Sequence, residues 1–273
     1  MNEAYKLDLE QGQTKWREAM NAELSQINNY KTFNNLGKDA APPVGYKKIR
    51  VHFVFDIKHD GCHKARLVAD GHLTDEPDNS VYSSVVSLRD LRLVVFAAEQ
   101  NNLDIWAADI GNAYLESYTK EQVYIVAGPE FGELQGHTLT ISKALYGLKS
   151  SGLHWHERFA DTLRDLNFKP SKASIDVWMR PKQDHYKYIA VYVDDLAIVS
   201  KQPKSITDML TNKYGYKLKG VGPIDYHLGG NFARDSDNTL RYGPRKYIDK
   251  LITSYAHLIL NCLVLLLKST LAP

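Results

Sequence analysis

Cysteine is nearly missing from this sequence of 273 residues: only Cys62 and Cys262 occur, far apart and outside any CxxC or CxxxxH spacing. A disulfide framework and a structural zinc site are thereby disfavoured, and a reducing compartment is compatible. His59, Cys62 and His63 do cluster, but around an expected turn, and they read as turn residues rather than as a metal site. Long apolar runs are also lacking. The most apolar stretch, Ser254 to Leu267, is interrupted by Asn261 and is shorter than the ~20 residues a spanning helix needs. The N-terminus carries acids early and no basic segment followed by an apolar run, so neither a signal peptide nor a membrane protein is expected. No internal repeat and no low-complexity linker occurs.

Net charge is small too, at +2, but it is unevenly placed. Residues 31 to 72 hold eight Lys/Arg against four Asp/Glu, residues 201 to 253 hold ten against five, and the middle, 73 to 200, holds twelve against eighteen. Two basic flanks around an acidic centre suit a polyanion gripped at the sides and cations held between, although solvated lysines are the commonest surface. With 44% apolar residues the chain can bury a sizeable core, as one large domain or two small ones.

What is present is concentrated in Lys187 to Ser200. Two apolar, β-branched and aromatic runs, Tyr188 to Val193 and Leu196 to Val199, flank adjacent carboxylates, Asp194 and Asp195, which strand propensity would not place there. Neighbouring side chains of a continuous strand point to opposite faces, so the pair can serve one site only if the chain turns beside it. A tight hairpin with acids at its tip is the simplest reading, and such a tip can hold a divalent cation. Ordinary turn chemistry would use the same residues.

Elsewhere, Trp16, Met20, Leu24 and Ile27 recur at helical spacing, which predicts an amphipathic helix over Thr14 to Asn29. Beyond Pro42 and Pro43, alternation of Ile49, Val51, Phe53, Phe55 and Ile57 predicts a strand, Asp60-Gly61 a hairpin turn, and His63 to Ala69 the return strand. Lys64 and Arg66 then share one face and Ala65 and Leu67 the other. That basic pair can hold a triphosphate, or simply guard a strand edge. Leu88, Leu91, Val94, Val95 and Ala98 mark a second helix with Ser87 at its N-cap. A short strand is expected to end at Asp109, where a glycine turn follows and the Gly111-Asn112-Ala113 amides can meet an anion.

Further strands are expected at Val123 to Ala127, Leu139 to Ser142 and Trp178 to Met179, and helices at Trp155 to Leu166 and around Ile206 to Leu210. Gly220, Gly222, Gly229 and Gly230 predict a further hairpin, and Tyr242 to Ile252 a last helix. Helices and strands that mix without βαβ regularity predict an α+β domain, an antiparallel sheet with helices on one face.

One set of motifs goes further. Trp16-Arg-Glu-Ala-Met20, Lys64-Ala-Arg-Leu-Val-Ala69, Asp109-Ile-Gly-Asn-Ala-Tyr-Leu115, Lys143-Ala-Leu-Tyr-Gly-Leu-Lys149, Tyr192-Val-Asp-Asp195 and His227-Leu-Gly229 occur in this order. Together they make the chain resemble the reverse transcriptases of copia-type retrotransposons over about residues 14 to 252. The resemblance implies a right-hand polymerase fold of fingers and palm. It divides the chain into an N-terminal helical segment (1–30), fingers (about 31–100), palm (about 101–240), the start of a thumb (about 241–253) and an atypical tail (254–273).

It also implies a nucleotidyltransferase, an RNA-directed DNA polymerase. Asp109, Asp194 and Asp195 would be catalytic. Asp109, Ile110, Asp194 and Asp195 would form the metal set, Asp195 in a less direct role, for two Mg²⁺ ions (Mn²⁺ as an alternative) ~3.5 to 4 Å apart. Lys64 and Arg66 match the finger residues that contact the triphosphate, Asn112 and Ala113 the turn beneath it, and Tyr114 the aromatic platform under the sugar. Tyr146 and Gly147 fall in the template-side motif. Tyr192 and Val193 match the primer end, Leu228 and Gly229 the primer grip, and Lys219 a lysine before the grip.

Implied partners are an RNA or DNA template with its primer and deoxynucleoside triphosphates, with no membrane. The implied setting is a cytoplasmic virus-like particle or the nucleus, and DNA integration is the larger process. The chain departs from the family at Asp75 to Val85, where a shorter finger loop is expected, and at Ser254 to Pro273, which matches nothing of a thumb. It is expected to be a fragment of a larger Pol polyprotein, whose RNase H and integrase are absent from this chain, or a reading frame that drifts near its end. A non-catalytic relic that still binds nucleic acid is the alternative. A metal-free interaction domain would leave the three acids unexplained.

Overall fold

A computed structural model describes residues 2–57, 61–74 and 81–258 of the chain. The Asp60 half of the expected hairpin turn, His59, the loop Asp75 to Ser80 and the tail from residue 259, Cys262 included, lie outside the described residues. The elements begin with α1 (Asn2–Glu10), α2 (Lys15–Asn29), β1 (Phe33–Lys38), β2 (Lys47–Lys48), β3 (Val51–Ile57), β4 (His63–Ala69), α3 (Leu88–Gln100) and β5 (Asp104–Ile110). There follow β6 (Val123–Val126), β7 (His137–Ile141), α4 (Ser151–Asp165), β8 (Lys169–Pro170), β9 (Val177–Lys182), β10 (His185–Tyr192) and β11 (Asp195–Ser200). The chain continues through α5 (Pro203–Asn212), β12 (Leu218–Pro223), β13 (Tyr226–His227), β14 (Gly230–Arg234), β15 (Leu240–Gly243) and α6 (Arg245–Ser254). The protein is therefore of the α+β class.

Two compact units interleave along the sequence. The first joins Met1–Val85 to Gly111–Phe168, and the second joins Val86–Ile110 to the chain from Lys169 onward. In the first unit, α2 buries Trp16, Met20 and Ile27 on one face. Thr14 takes the N-cap position of α2 but makes no side-chain capping bond. The buried Asp8 of α1 does that work, accepting from the backbone N–H groups of Trp16 (3.1 Å) and Arg17 (3.0 Å), which would otherwise lack partners inside the helix.

Strands β3 and β4 pair in the register the alternation predicts, with Val54 opposite Arg66 and Asp56 opposite Lys64. Ala65, Leu67 and Ala69 are buried and Lys64 and Arg66 half-buried. A four-stranded sheet, β1-β7-β6-β2, completes this unit. Its core gathers Ile27, Ile49, Leu67, Leu115, Ile125 and Leu139.

The second unit is built on a six-stranded sheet, β12-β5-β11-β10-β9-β8, antiparallel throughout. One face of its centre carries Ile105, Ala190, Ala197 and Val199, packed with Leu91, Val94 and Ala98 of α3. Leu196, Ile198 and Ile189, which point the other way, are wholly buried as well. Ser87 caps α3 as expected, accepting from Asp90 N–H at 3.1 Å. Leu88, assigned to the apolar stripe, is exposed instead, since it is the first helical residue.

Three boundaries differ from expectation. β5 runs one residue past Asp109 because Ile110 is still paired, to Leu218 of β12. Gly220 and Gly222 sit in β12, a sheet-edge strand with a register shift between Lys219 and Gly222, so the glycine hairpin is confined to His227–Gly230. Tyr242 belongs to β15 rather than to the last helix, which begins at Arg245 after Pro244; proline favours such a helix start.

Candidate active site

In the second unit the acids are ordered by strand register. β10 and β11 form a tight hairpin closed by Tyr192 opposite Asp195, with Val193 and Asp194 as the two turn residues. Val193 adopts φ 55°, a left-handed conformation that costs a β-branched residue roughly 1–3 kcal/mol. Sequence propensity alone would not put valine there. The strain accompanies an acid pair offered at a strand end.

Asp195 is also the partner of Asp109 on β5, and Asp109 in turn is the partner of Lys219 on β12. Lys219, Asp109, Asp195 and Tyr192 thus form one transverse row over four adjacent strands. Cross-strand partners share a face, so the row presents two carboxylates between an exposed lysine and an exposed tyrosine. Asp194 is tied to the same strand pair through its carbonyl oxygen, which accepts from the Ile110 N–H at 2.8 Å. Burial, with the charges of Asp194 and then Asp109, pushes the Asp195 carboxyl up to about 6. Asp195 therefore feels the charges of both other acids.

Their oxygens are hard donors, which suit Mg²⁺ or Mn²⁺. Among the described residues no group of three His, Cys, Asp or Glu side chains forms a metal cage by itself. Mg²⁺ is commonly held by one or two carboxylates together with substrate phosphates. The donor set fits the ion, with the remaining ligands left to a substrate.

Also in this unit, His227–Gly230 is a two-residue hairpin in which Leu228 (φ 46°) and Gly229 (φ 80°) are both left-handed, the combination that matches strand twist. His227 is buried, its Nε2 has no hydrogen-bond partner among the described residues, and burial lowers its pKa to about 4.

The first unit brings together the residues matched to nucleotide contact. The Tyr114 and Tyr146 rings pack at 4.9 Å between centroids, and the Arg66 guanidinium lies 5.9 Å from the centre of the Tyr146 ring, within cation–π range. β4 is held against the Tyr146-Gly147 turn by the Ala69 N–H, which donates to the Tyr146 carbonyl at 2.7 Å. Gly147 has φ 89°, and a Cβ there would overlap the Ala69 carbonyl oxygen, while one at Gly71 would overlap the Gly147 carbonyl. Two backbones meet where no side chain fits.

Asn112 is left-handed (φ 57°, ψ 40°) and opens the 3₁₀ turn Ala113–Glu116 that carries Tyr114. Lys64 shares its strand face with Arg66. The motifs do not include Glu23 and Gln26 of α2 or Tyr30 at its C-cap, which reach these elements. Only Glu23 left a trace, as an acid spaced with Met20 and Ile27 on the buried stripe.

Residues 34–263 match the family described as Reverse transcriptase (RNA-dependent DNA polymerase). The chain is 31% identical over 221 residues to the Transposon Ty1-BL Gag-Pol polyprotein of Saccharomyces cerevisiae (strain ATCC 204508 / S288c), and equally to Transposon Ty1-MR1 Gag-Pol polyprotein of the same organism. Each match covers 78% of this chain. The chain spans 12% of the length of these relatives.

Proposed function

The chain belongs to the reverse transcriptase family, in its copia-type retrotransposon branch, and from that premise we propose that it adds deoxynucleotides to a primer 3′-hydroxyl on an RNA or DNA template. The observation that carries this reading is the transverse row Lys219, Asp109, Asp195 and Tyr192, with Asp194 beside it at the hairpin tip. In this reading the six-stranded sheet is the palm sheet and the β3–β4 hairpin the finger arm.

Asp109, Asp194 and Asp195, with Ile110 at the end of β5, would hold Mg²⁺. When bound, such ions activate the attacking hydroxyl and neutralise charge on the leaving pyrophosphate. Phosphoryl transfer asks the protein for position and charge rather than for covalent chemistry. Lys64 and Arg66 bind the triphosphate as cations, and the Asn112–Ala113 turn offers it backbone N–H groups. Tyr114, braced by Tyr146, serves as the aromatic platform for the sugar. Tyr146 and Gly147 form the template-side contact. Tyr192 and Val193 meet the primer end, Leu228 and Gly229 grip the primer, and Lys219 offers a cation beside Asp109.

Primer extension by the purified chain on an RNA template, with Mg²⁺ and the four deoxynucleotides, tests the proposal. Template-dependent products that vanish in Asp194→Asn support it. Products of equal yield from Asp194→Asn overturn the site. Tight primer–template binding without extension by the wild type points instead to a non-catalytic relic.

A further inference from the structure

Three polar side chains, Glu23 and Gln26 of α2 and Tyr30 that caps its C-terminus, are spaced by three and seven residues and so lie along one side of the helix. Each ends on an element to which the polymerase reading gives the incoming nucleotide. Glu23 Oε1 accepts from the Leu67 N–H at 3.2 Å, in the middle of the strand that carries Lys64 and Arg66. Gln26 Oε1 accepts from Asn112 Nδ2 at 2.7 Å, at the head of the turn that carries Tyr114. The Tyr30 hydroxyl donates to Glu116 Oε1 at 3.0 Å and lies 3.4 Å from the Gly111 carbonyl, so it clasps the same turn from both ends.

These contacts are expensive places for polar groups. Glu23 is only 9% exposed; burial raises its pKa, opposed by the Leu67 N–H and by the charges of Lys64 and Arg66. Burial, and next the Glu116 charge, raise the Tyr30 hydroxyl well above its ordinary range, which keeps it a donor. A helix needed only for packing would fill such positions with apolar side chains at lower desolvation cost. Directed hydrogen bonds instead set distance and register. Leu67 and Ala69 N–H groups find their partners outside the hairpin, in Glu23 and Tyr146, so the basic arm is fixed along its length.

We propose that α2 is a positioning helix for the nucleotide site: Glu23 sets the basic arm, Gln26 and Tyr30 set the Asn112–Tyr114 turn, and the helix between them fixes the spacing of arm and turn. The inference rests on the polymerase reading. None of the three side chains touches the nucleotide, so each acts through Leu67, Asn112 or Gly111.

Glu23→Met separates positioning from packing, because it keeps an apolar filler of similar size and removes the acceptor. Glu23→Gln keeps the acceptor. Full-length wild type and variants are compared by calorimetric binding of dTTP with Mg²⁺ on a primer–template, by KM and kcat for dTTP, and by amide hydrogen exchange at Leu67. Glu23→Met is expected to stay folded, to exchange the Leu67 amide faster, and to weaken dTTP binding and raise KM about tenfold with kcat within about twofold.

Glu23→Gln is expected to match the wild type. Gln26→Ala is expected to change the ratio of UTP to dTTP efficiencies several-fold, since it releases the turn bearing Tyr114. Unchanged dTTP binding and Leu67 exchange in Glu23→Met, or equal loss in Glu23→Gln, overturns the inference and leaves the polymerase reading standing. A wild type that neither binds nor incorporates dTTP overturns the polymerase reading, and the inference falls with it. If the wild type binds dTTP without extending, the tenfold difference is read in the dissociation constant.

Discussion

Asp109 and Asp195 stand directly opposite one another across antiparallel β5 and β11. Like charges at such a position destabilise a sheet, and Asp195 shows it in a carboxyl pushed up to about 6 by burial, Asp194 and Asp109. The fold tolerates a repulsion that a cation would relieve. In metal-free buffer near neutral pH, Asp109→Asn and Asp195→Asn are therefore expected to keep or raise the thermal midpoint, while in the Mg²⁺-containing assay extension by Asp109→Asn disappears. A clear fall in midpoint for both would mean that the acids support the fold through contacts of their own.

Tyr114 is half-buried against Tyr146 rather than sunk in the core. Truncating a core aromatic would cost ~3 to 5 kcal/mol and activity with it. In the proposed role, as a steric gate that would clash with a 2′-hydroxyl, a partly open ring predicts a different outcome: Tyr114→Val should fold, stay active and accept ribonucleotides better relative to deoxyribonucleotides, because the bulk is gone. The ratio of the two efficiencies on one primer–template decides it. An unchanged ratio in an active variant refutes the gate.

Gly147 is required twice over, by φ 89° and by the Ala69 carbonyl where its Cβ would sit. Gly147→Ala must move β4 away from the turn, breaking the Ala69–Tyr146 bond. It should lower stability by about 2 kcal/mol or more and weaken dTTP binding further than Gly61→Ala, whose Cβ would meet nothing. Parallel melting and binding measurements on the two variants provide the check; equal effects would remove the close approach as the cause.

His227 titrates about 4 when folded, below its ordinary 6.5, because burial disfavours the imidazolium. Between pH 6.5 and 4 the unfolded chain binds a proton that the folded chain refuses. The contribution to stability is whole above pH 6.5 and is lost as pH falls through that window, by about 3 kcal/mol in all. His227→Phe also removes a buried nitrogen without a partner and should flatten the acid limb of the midpoint-versus-pH curve. Parallel curves for the two proteins would assign the acid sensitivity elsewhere.

The amino-acid sequence determined whatever depends on neighbours a few residues apart. Alternation over Val51 to Ile57 and His63 to Ala69 set the hairpin and its register, the apolar stripe set α2, and a run broken by two acids marked a tight hairpin, whose turn falls one residue earlier than the acid pair, at Val193-Asp194, with Asp195 already in β11. The motif order marked the family, since each motif is local. Tertiary structure alone decided which distant groups share a row or a bond. Lys219 faces Asp109 only because β12 returns to the edge of β5, with 109 residues of chain between the two. Gly71 and Gly147 are both needed because two backbones meet, and the helix predicted from its apolar stripe also holds Leu67 and Asn112 with Glu23 and Gln26. Side-chain periodicity reports which face is buried, and carries no information about the hydrogen-bond partner waiting on that face.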